Sequence, residues 1–130
     1  MIVDTSAIVA ILLGEAEGSE FERKLENVSG SKRMSAGSRI ELSAILFRTS
    51  GEVLEARGGQ LLLDLGVMIE PVTLDQVQTA RDAYRRFGRG SGKPGCLNFG
   101  DCFAYALAKA RGEPLLFKGG DFAQTDIIAA

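Results

Sequence analysis

The chain has 130 residues, 45% apolar and 25% charged, with a formal net charge of −2. That suits one globular domain able to bury its own core, excludes a disordered chain, and gives no bulk attraction to nucleic acid or anionic membrane beyond a local patch. There is no histidine, so Ser-His-Asp, Cys-His and two-histidine ribonuclease chemistry are all excluded.

Residues 1–3 form a short apolar run that predicts a buried strand, after which Thr5 or Ser6 can cap a helix ending at Leu13, with Gly14 behind it. A second helix is predicted over 15–27, with Phe21 and Leu25 inside, and a weak strand over 32–35. Ile40, Leu42, Ile45 and Leu46 repeat at helical spacing over 36–50. A further helix over 52–64 carries Val53, Leu54, Leu61 and Leu62, although the pair Gly58-Gly59 weakens it. Residues 67–72 predict a strand, and Thr73 caps a helix over 74–87 with Val77, Ala80, Ala83, Tyr84 and Phe87 inside. A glycine-rich loop over 88–96 leads to Asn98, which starts a helix over 99–110 closed by Gly112. Residues 115–117 form a strand, and 127–128 a short last one. Strands separated by helices imply an α/β fold, a three-layer domain over 1–130 with a parallel sheet flanked by helices.

Two cysteines are too few for a disulfide framework: Cys102 reads as a small core residue and Cys96 as a loop thiol. No basic segment precedes an apolar run at the N-terminus, and no apolar run is long enough for a membrane span. The expectation is a cytoplasmic protein with no membrane partner.

Four acids stand beside apolar runs: Asp4, Glu41, Asp101 and Asp121. In parallel sheets, ligand sites form beyond the carboxyl ends of the strands. Asp4 and Asp121 follow strands directly, Asp101 lies in the first turn of its helix, and Glu41 sits mid-helix between Ile40 and Leu42. Singly, each suits a cap, a turn or a helix terminus. Together they can converge on one edge, where carboxylates repel unless a cation is bound. With oxygen ligands only, Mg²⁺ or Mn²⁺ fits, and either can support attack of water on a phosphodiester. Thr5 and Ser6 can hydrogen-bond Asp4, a ligand or a phosphate, or serve only as caps, and Asn98 can likewise be only a cap. Lys118 can pair with Asp121 or face solvent. Tyr84, Phe103 and Tyr105 read as core.

A basic run, Arg81, Arg85, Arg86, Arg89 and Lys93, lies just before the Asp101 helix. Any such run is commonly a solvated face. Its position favours contact with a nucleic-acid backbone through Arg85, Arg86, Arg89 and Lys93, with Lys32, Arg33 and Arg39 adding to that surface.

The opening Met1-Ile2-Val3-Asp4-Thr5-Ser6-Ala7, the segment Leu97-Asn98-Phe99-Gly100-Asp101-Cys102-Phe103-Ala104-Tyr105-Ala106-Leu107-Ala108, and the end Leu115-Leu116-Phe117-Lys118-Gly119-Gly120-Asp121-Phe122 with Thr125-Asp126-Ile127 resemble the PIN-domain ribonucleases. Within them the chain most resembles the VapC toxins of bacterial VapBC toxin–antitoxin pairs, over essentially its full length. The resemblance implies a Mg²⁺- or Mn²⁺-dependent endoribonuclease acting on structured RNA, often tRNA or rRNA. It implies a homodimer neutralised by a VapB-type antitoxin. The four family acids map to Asp4, Glu41, Asp101 and Asp121, with Asp4, Asp101 and Asp121 as metal ligands. The hydroxyl position after the first acid maps to Ser6, and Thr5, Asn98 and Asp126 are supporting residues. The pattern departs at Gly120, where a polar residue is usual.

Two other readings remain. A phosphatase or receiver domain also places acids beyond parallel strands, but the chain has Asp4-Thr5-Ser6 where such enzymes want a second acid close to the first. A non-catalytic RNA-binding or scaffold module would use the acids structurally.

Overall fold

The computed structural model describes residues 1–90 and 96–130. Among the described residues nine elements follow in chain order: β1 (Ile2–Val3), α1 (Thr5–Leu12), α2 (Gly18–Asn27), β2 (Lys32–Ser35), α3 (Ala36–Asp64), β3 (Val67–Glu70), α4 (Leu74–Phe87), α5 (Asp101–Arg111) and β4 (Leu115–Leu116). The strands form one sheet in the order β3-β2-β1-β4, with every neighbouring pair parallel.

Alternation along the short strands sorts the core into two layers. Val3 and Leu116 join Ile8, Leu25, Met34, Leu42, Leu46 and Leu62 on the face covered by α1, α2 and α3. Ile2 and Leu115 join Ala83, Leu97, Tyr105, Leu107 and Phe122 under α4 and α5. The expected parallel α/β sheet flanked by helices is present. Because the strands run in one direction, β1 and β4 deliver Asp4 and the segment leading to Asp121 to the same edge.

The predicted helices over 36–50 and 52–64 are the two halves of α3, divided where Ser50 and Gly51 leave helical geometry, Gly51 at φ 69°. The Gly58-Gly59 pair does not end the second half. A Cβ on Gly58 would lie 2.3 Å from Leu46 Cδ1, so glycine lets the two halves approach closely. Arg39 donates to Glu55 at 2.9 Å across the same fold-back.

Several expectations need correction. Ile40 is 72% exposed, and Val53, Val77 and Tyr84 are also exposed. Val77 and Tyr84 instead line an apolar groove of about 600 Å³ between α4 and α5, with Ala80, Phe99, Phe103 and Ala106. Gln76 and Ala83 are the buried positions of α4. Phe103 is half-buried, and Tyr105 belongs to the core. Helix α5 begins at Asp101, because residues 98–100 are used to cap it. Residues 127–128 form no strand; Ala129 makes an isolated parallel bridge to Leu115. Cys102 is buried and Cys96 partly so, both as free thiols. Among the described residues no helix is long and apolar enough to cross a membrane.

Candidate active site

Asp4 leaves β1 in extended geometry (φ −83°, ψ 157°) and caps α1. Its Oδ2 accepts from the Ser6 backbone N–H at 2.9 Å and from the Ser6 hydroxyl at 2.6 Å. Ser6 Oγ also accepts from the Lys118 backbone N–H at 2.9 Å, tying the end of β4 to the first acid. The cap of α1 is therefore Asp4, not Thr5 or Ser6 as expected, and Ser6 serves instead to hold the Asp4 carboxylate. Asp4 is 3% exposed, and its buried Oδ1 has no hydrogen-bond partner among the described residues. An oxygen so placed is costly unless a cation completes it.

The Thr5 hydroxyl lies 2.9 Å from Glu41 Oε2 and 3.1 Å from Ser38 O, within donating reach of either. It thereby links the start of α1 to the acid on α3. Glu41 lies against the backbone of Gly100: a Cβ there would fall 1.9 Å from Glu41 Oε1. Nothing in the local pattern points to this contact, although Gly100 directly before Asp101 is visible in the sequence. Asp101 and Asn98 cap each other: the Asn98 N–H donates to Asp101 Oδ2 at 2.6 Å, and the Asp101 N–H donates to Asn98 Oδ1 at 3.0 Å. Asp101 is 7% exposed. Asp121 is half-buried on the segment after β4, with Arg89 Nη2 at 3.5 Å from its Oδ2.

The acids sense one another. Burial pushes the Asp101 carboxyl up to about 7, opposed by the Asn98 hydrogen bond and reinforced by the charges of Asp4, Asp121 and Glu41. Burial likewise raises Asp4, against its bonds to Ser6 and with a push from Asp121. Glu41 is raised by burial, opposed by Thr5 and reinforced by Asp4. Asp101 on α5 thus lies within electrostatic reach of acids from three other segments. Among the described residues no three of them close into a ready cage for an ion. The unpartnered Asp4 Oδ1 and an all-oxygen donor set fit a hard divalent cation.

Other predicted residues lie elsewhere. Asp126 accepts from the Tyr105 hydroxyl at 2.6 Å and pairs with Lys109 at 3.3 Å and Arg86 at 3.7 Å. It latches the C-terminal segment to α4 and α5, apart from the acid ring. Lys118 takes neither anticipated role: its ammonium meets Glu15 at 2.7 Å and Glu17 at 3.6 Å. Arg85 is on the surface beside Asp82, and Arg86 sits 4.5 Å over the Phe87 ring. Lys93 lies outside the described residues. The expected extension of the basic surface is absent, because Arg33 pairs with Glu70 and Glu113, Arg39 with Glu55, and Lys32 donates to Leu25 O.

One consequence is testable at Gly100. In Gly100→Ala the new methyl must displace the flexible Glu41 carboxylate, so thermal stability should stay near wild type while the nuclease activity that the resemblance implies falls by roughly 10-fold or more, as misplaced active-site groups do. Unchanged cleavage would mean that the position of Glu41 is immaterial.

The PIN domain family model matches residues 1–128. Ribonuclease VapC42 of Mycobacterium tuberculosis is 50% identical over 130 residues, covering 100% of this chain and 98% of that protein. Ribonuclease VapC28 of the same organism is 46% identical, covering 100% of this chain and 97% of its own length. Among solved structures, Mycobacterium tuberculosis VapC20, titled a sarcin-ricin loop cleaving toxin, superposes with a TM-score of 0.78 at 22% identity, covering 99% of this chain and 97% of that one. The sheet order, the matched family and full-length identity to named VapC proteins agree: the chain belongs to the PIN-domain family, within its VapC ribonucleases.

Proposed function

We propose that this chain is a single PIN-like domain, a Mg²⁺- or Mn²⁺-dependent endoribonuclease acting as the toxin of a toxin–antitoxin pair. In this reading it cuts structured RNA such as tRNA or rRNA in the cytoplasm, inhibits translation, and is restrained by a VapB-type antitoxin. The observation that carries the reading is the buried Asp4 Oδ1, which has no hydrogen-bond partner among the described residues; the charges of Asp4, Asp121 and Glu41 that act on the buried Asp101 support it. The ribonuclease names of its full-length relatives support it.

Asp4, Asp101 and Asp121 would hold the cation, with Glu41 completing the site directly or through water. A bound divalent ion would activate the attacking water and shield charge on the phosphate. The chain does the positioning. Ser6 holds Asp4 Oδ2 and leaves Oδ1 for the ion, Asn98 holds Asp101 Oδ2, and Thr5 steadies Glu41. Water adds to phosphorus as the bond to the 3′ oxygen breaks. The departing oxygen takes up a proton, which leaves a 3′-hydroxyl and a 5′-phosphate. Arg85, Arg86 and Arg89 would hold the RNA backbone. A homodimer is favoured by the apolar groove between α4 and α5, where Phe99 is 76% exposed, and by exposed Ile40 and Phe47 on α3.

The test is incubation of the purified chain with tRNA and rRNA, followed by sequencing of the ends. Discrete 5′-phosphate ends with Mg²⁺ or Mn²⁺, and none with a chelator, are expected. Intact RNA under all conditions, or cleavage indifferent to chelator, would contradict the reading.

A further inference from the structure

Arg89 differs from its basic neighbours in how it is held. It follows α4 at Gly88, where a Cβ would lie 2.4 Å from Tyr84 O, so the chain leaves the helix tightly. Its backbone N–H donates to Leu97 O at 2.9 Å, and its carbonyl accepts from the Tyr84 hydroxyl at 3.3 Å. Its Nε donates to Cys96 O at 3.1 Å. Three bonds thus fix the backbone and the near side of the guanidinium. The terminal nitrogens remain, and Nη2 lies 3.5 Å from Asp121 Oδ2. Arg89 is itself largely exposed, but Arg85 is paired with an acid of its own helix, Asp82, and Arg86 is occupied by Phe87 and Asp126. Of these three arginines, Arg89 is the one that reaches the acid ring.

A guanidinium held in this way presents a planar fork suited to the two non-bridging oxygens of a phosphate. Its present partner is a carboxylate that a divalent cation would also need. Asp121 cannot serve both at full strength, so the two positive groups compete. We propose that Arg89 alternates between two partners: Asp121 when the site holds no cation, and the scissile phosphate when a cation has taken Asp121. This deepens the endoribonuclease reading and rests on it. Arg89 forms and breaks no covalent bond. It donates hydrogen bonds to the non-bridging oxygens, where charge builds as water adds and the 3′ oxygen leaves.

Competition and catalysis pull the same substitution in opposite directions, which separates this role from simple RNA binding. In Arg89→Met, calorimetric titration with Mn²⁺ should show tighter binding, roughly 3- to 10-fold, because a rival cation is gone. Single-turnover cleavage by the same variant should fall by about 10²-fold, as for loss of one transition-state donor, with a smaller change in KM. Arg89→Lys keeps a charge but loses the fork, so Mn²⁺ affinity should stay near wild type while cleavage still drops. Arg85→Met should weaken RNA binding and flatten its salt dependence by about one unit of slope, with Mn²⁺ affinity unmoved. Unchanged or weaker Mn²⁺ binding in Arg89→Met, or wild-type cleavage in either Arg89 variant, would overturn the proposal. If the wild-type chain itself shows neither saturable Mn²⁺ binding nor Mg²⁺-dependent cleavage, the endoribonuclease reading falls and this inference falls with it.

Discussion

Asp101→Asn should abolish RNA cleavage while leaving the fold at least as stable as wild type. The two halves of that expectation have separate causes. Asparagine keeps a carbonyl oxygen able to accept from the Asn98 N–H, and its own backbone N–H still reaches Asn98 Oδ1, so the cap on α5 survives. It also removes a nearly buried charge from a place where Asp4, Asp121 and Glu41 all repel it. The metal-free variant should therefore melt no lower than wild type. Catalysis is a different matter. A cation positioned by carboxylates supplies several kcal/mol of transition-state stabilisation. At about 1.4 kcal/mol per tenfold, loss of one principal ligand should cost on the order of 10³-fold in single-turnover rate. Asp4→Asn should behave alike, because an amide oxygen can replace Oδ2 beside Ser6 while the buried Oδ1 position loses its charge. Circular dichroism with a cleavage assay checks both halves. A folded Asp101→Asn variant that cuts at wild-type rate would remove Asp101 from the site. An unfolded one would make Asp101 a structural residue.

The second large effect is the pH dependence of stability. Asp101 titrates near 7 in the folded chain against 3.8 as its ordinary value. Between those values the native state holds more protons than the unfolded state, so stability falls as pH rises. The contribution is complete below the unfolded value and lost as pH passes through about 7. Asp4 and Glu41 are shifted in the same direction. Asp126, Glu55 and Glu113 are shifted downward, so their contributions are present above the unfolded carboxylate range and disappear only in more acidic solution. From pH 5 to 8, then, the acid ring sets the slope. The metal-free chain should lose several degrees of Tm over that interval, given what one kcal/mol means for a domain of this size. Added Mn²⁺ should raise Tm at pH 8 far more than at pH 5, because it binds the deprotonated form. Scanning calorimetry with and without Mn²⁺ measures both slopes. A metal-free Tm that is flat or rises over the interval would contradict the crowded-carboxylate picture.

How far the sequence reveals this structure depends on the range of the interaction involved. Local chemistry was legible. Residues 32–35 form β2 as expected, Gly51 breaks α3 where the pattern divides, and Thr73 caps α4. Strand direction followed from the alternation of helices and strands, which brought Asp4 and Asp121 to one edge. What the pattern misjudged was which apolar residues stay outside. Ile40 and Val77 repeat at core spacing, yet one lies on the outer side of α3 and the other lines the open groove beside α5. Helical periodicity identifies an apolar face without saying that a neighbour covers it. Contacts between distant segments were also hidden. Lys118 reaches Glu15 over 103 positions, and nothing at 118 distinguishes that partner from Asp121. Asp126 is part of a family-like motif but is engaged by Tyr105, Lys109 and Arg86. Gly100 was visible in the sequence, but its meaning depends on Glu41 lying against it from another helix.

The central claim is that these four acids form one divalent-cation site built around Asp4 and Asp101. Calorimetric titration of Mn²⁺ into the purified chain at pH 7.5, beside Asp4→Asn and Asp101→Asn, tests it most directly. Saturable binding by the wild-type chain, lost in both folded variants, is the predicted result. Equal binding by all three, or no saturable binding by any, would contradict it.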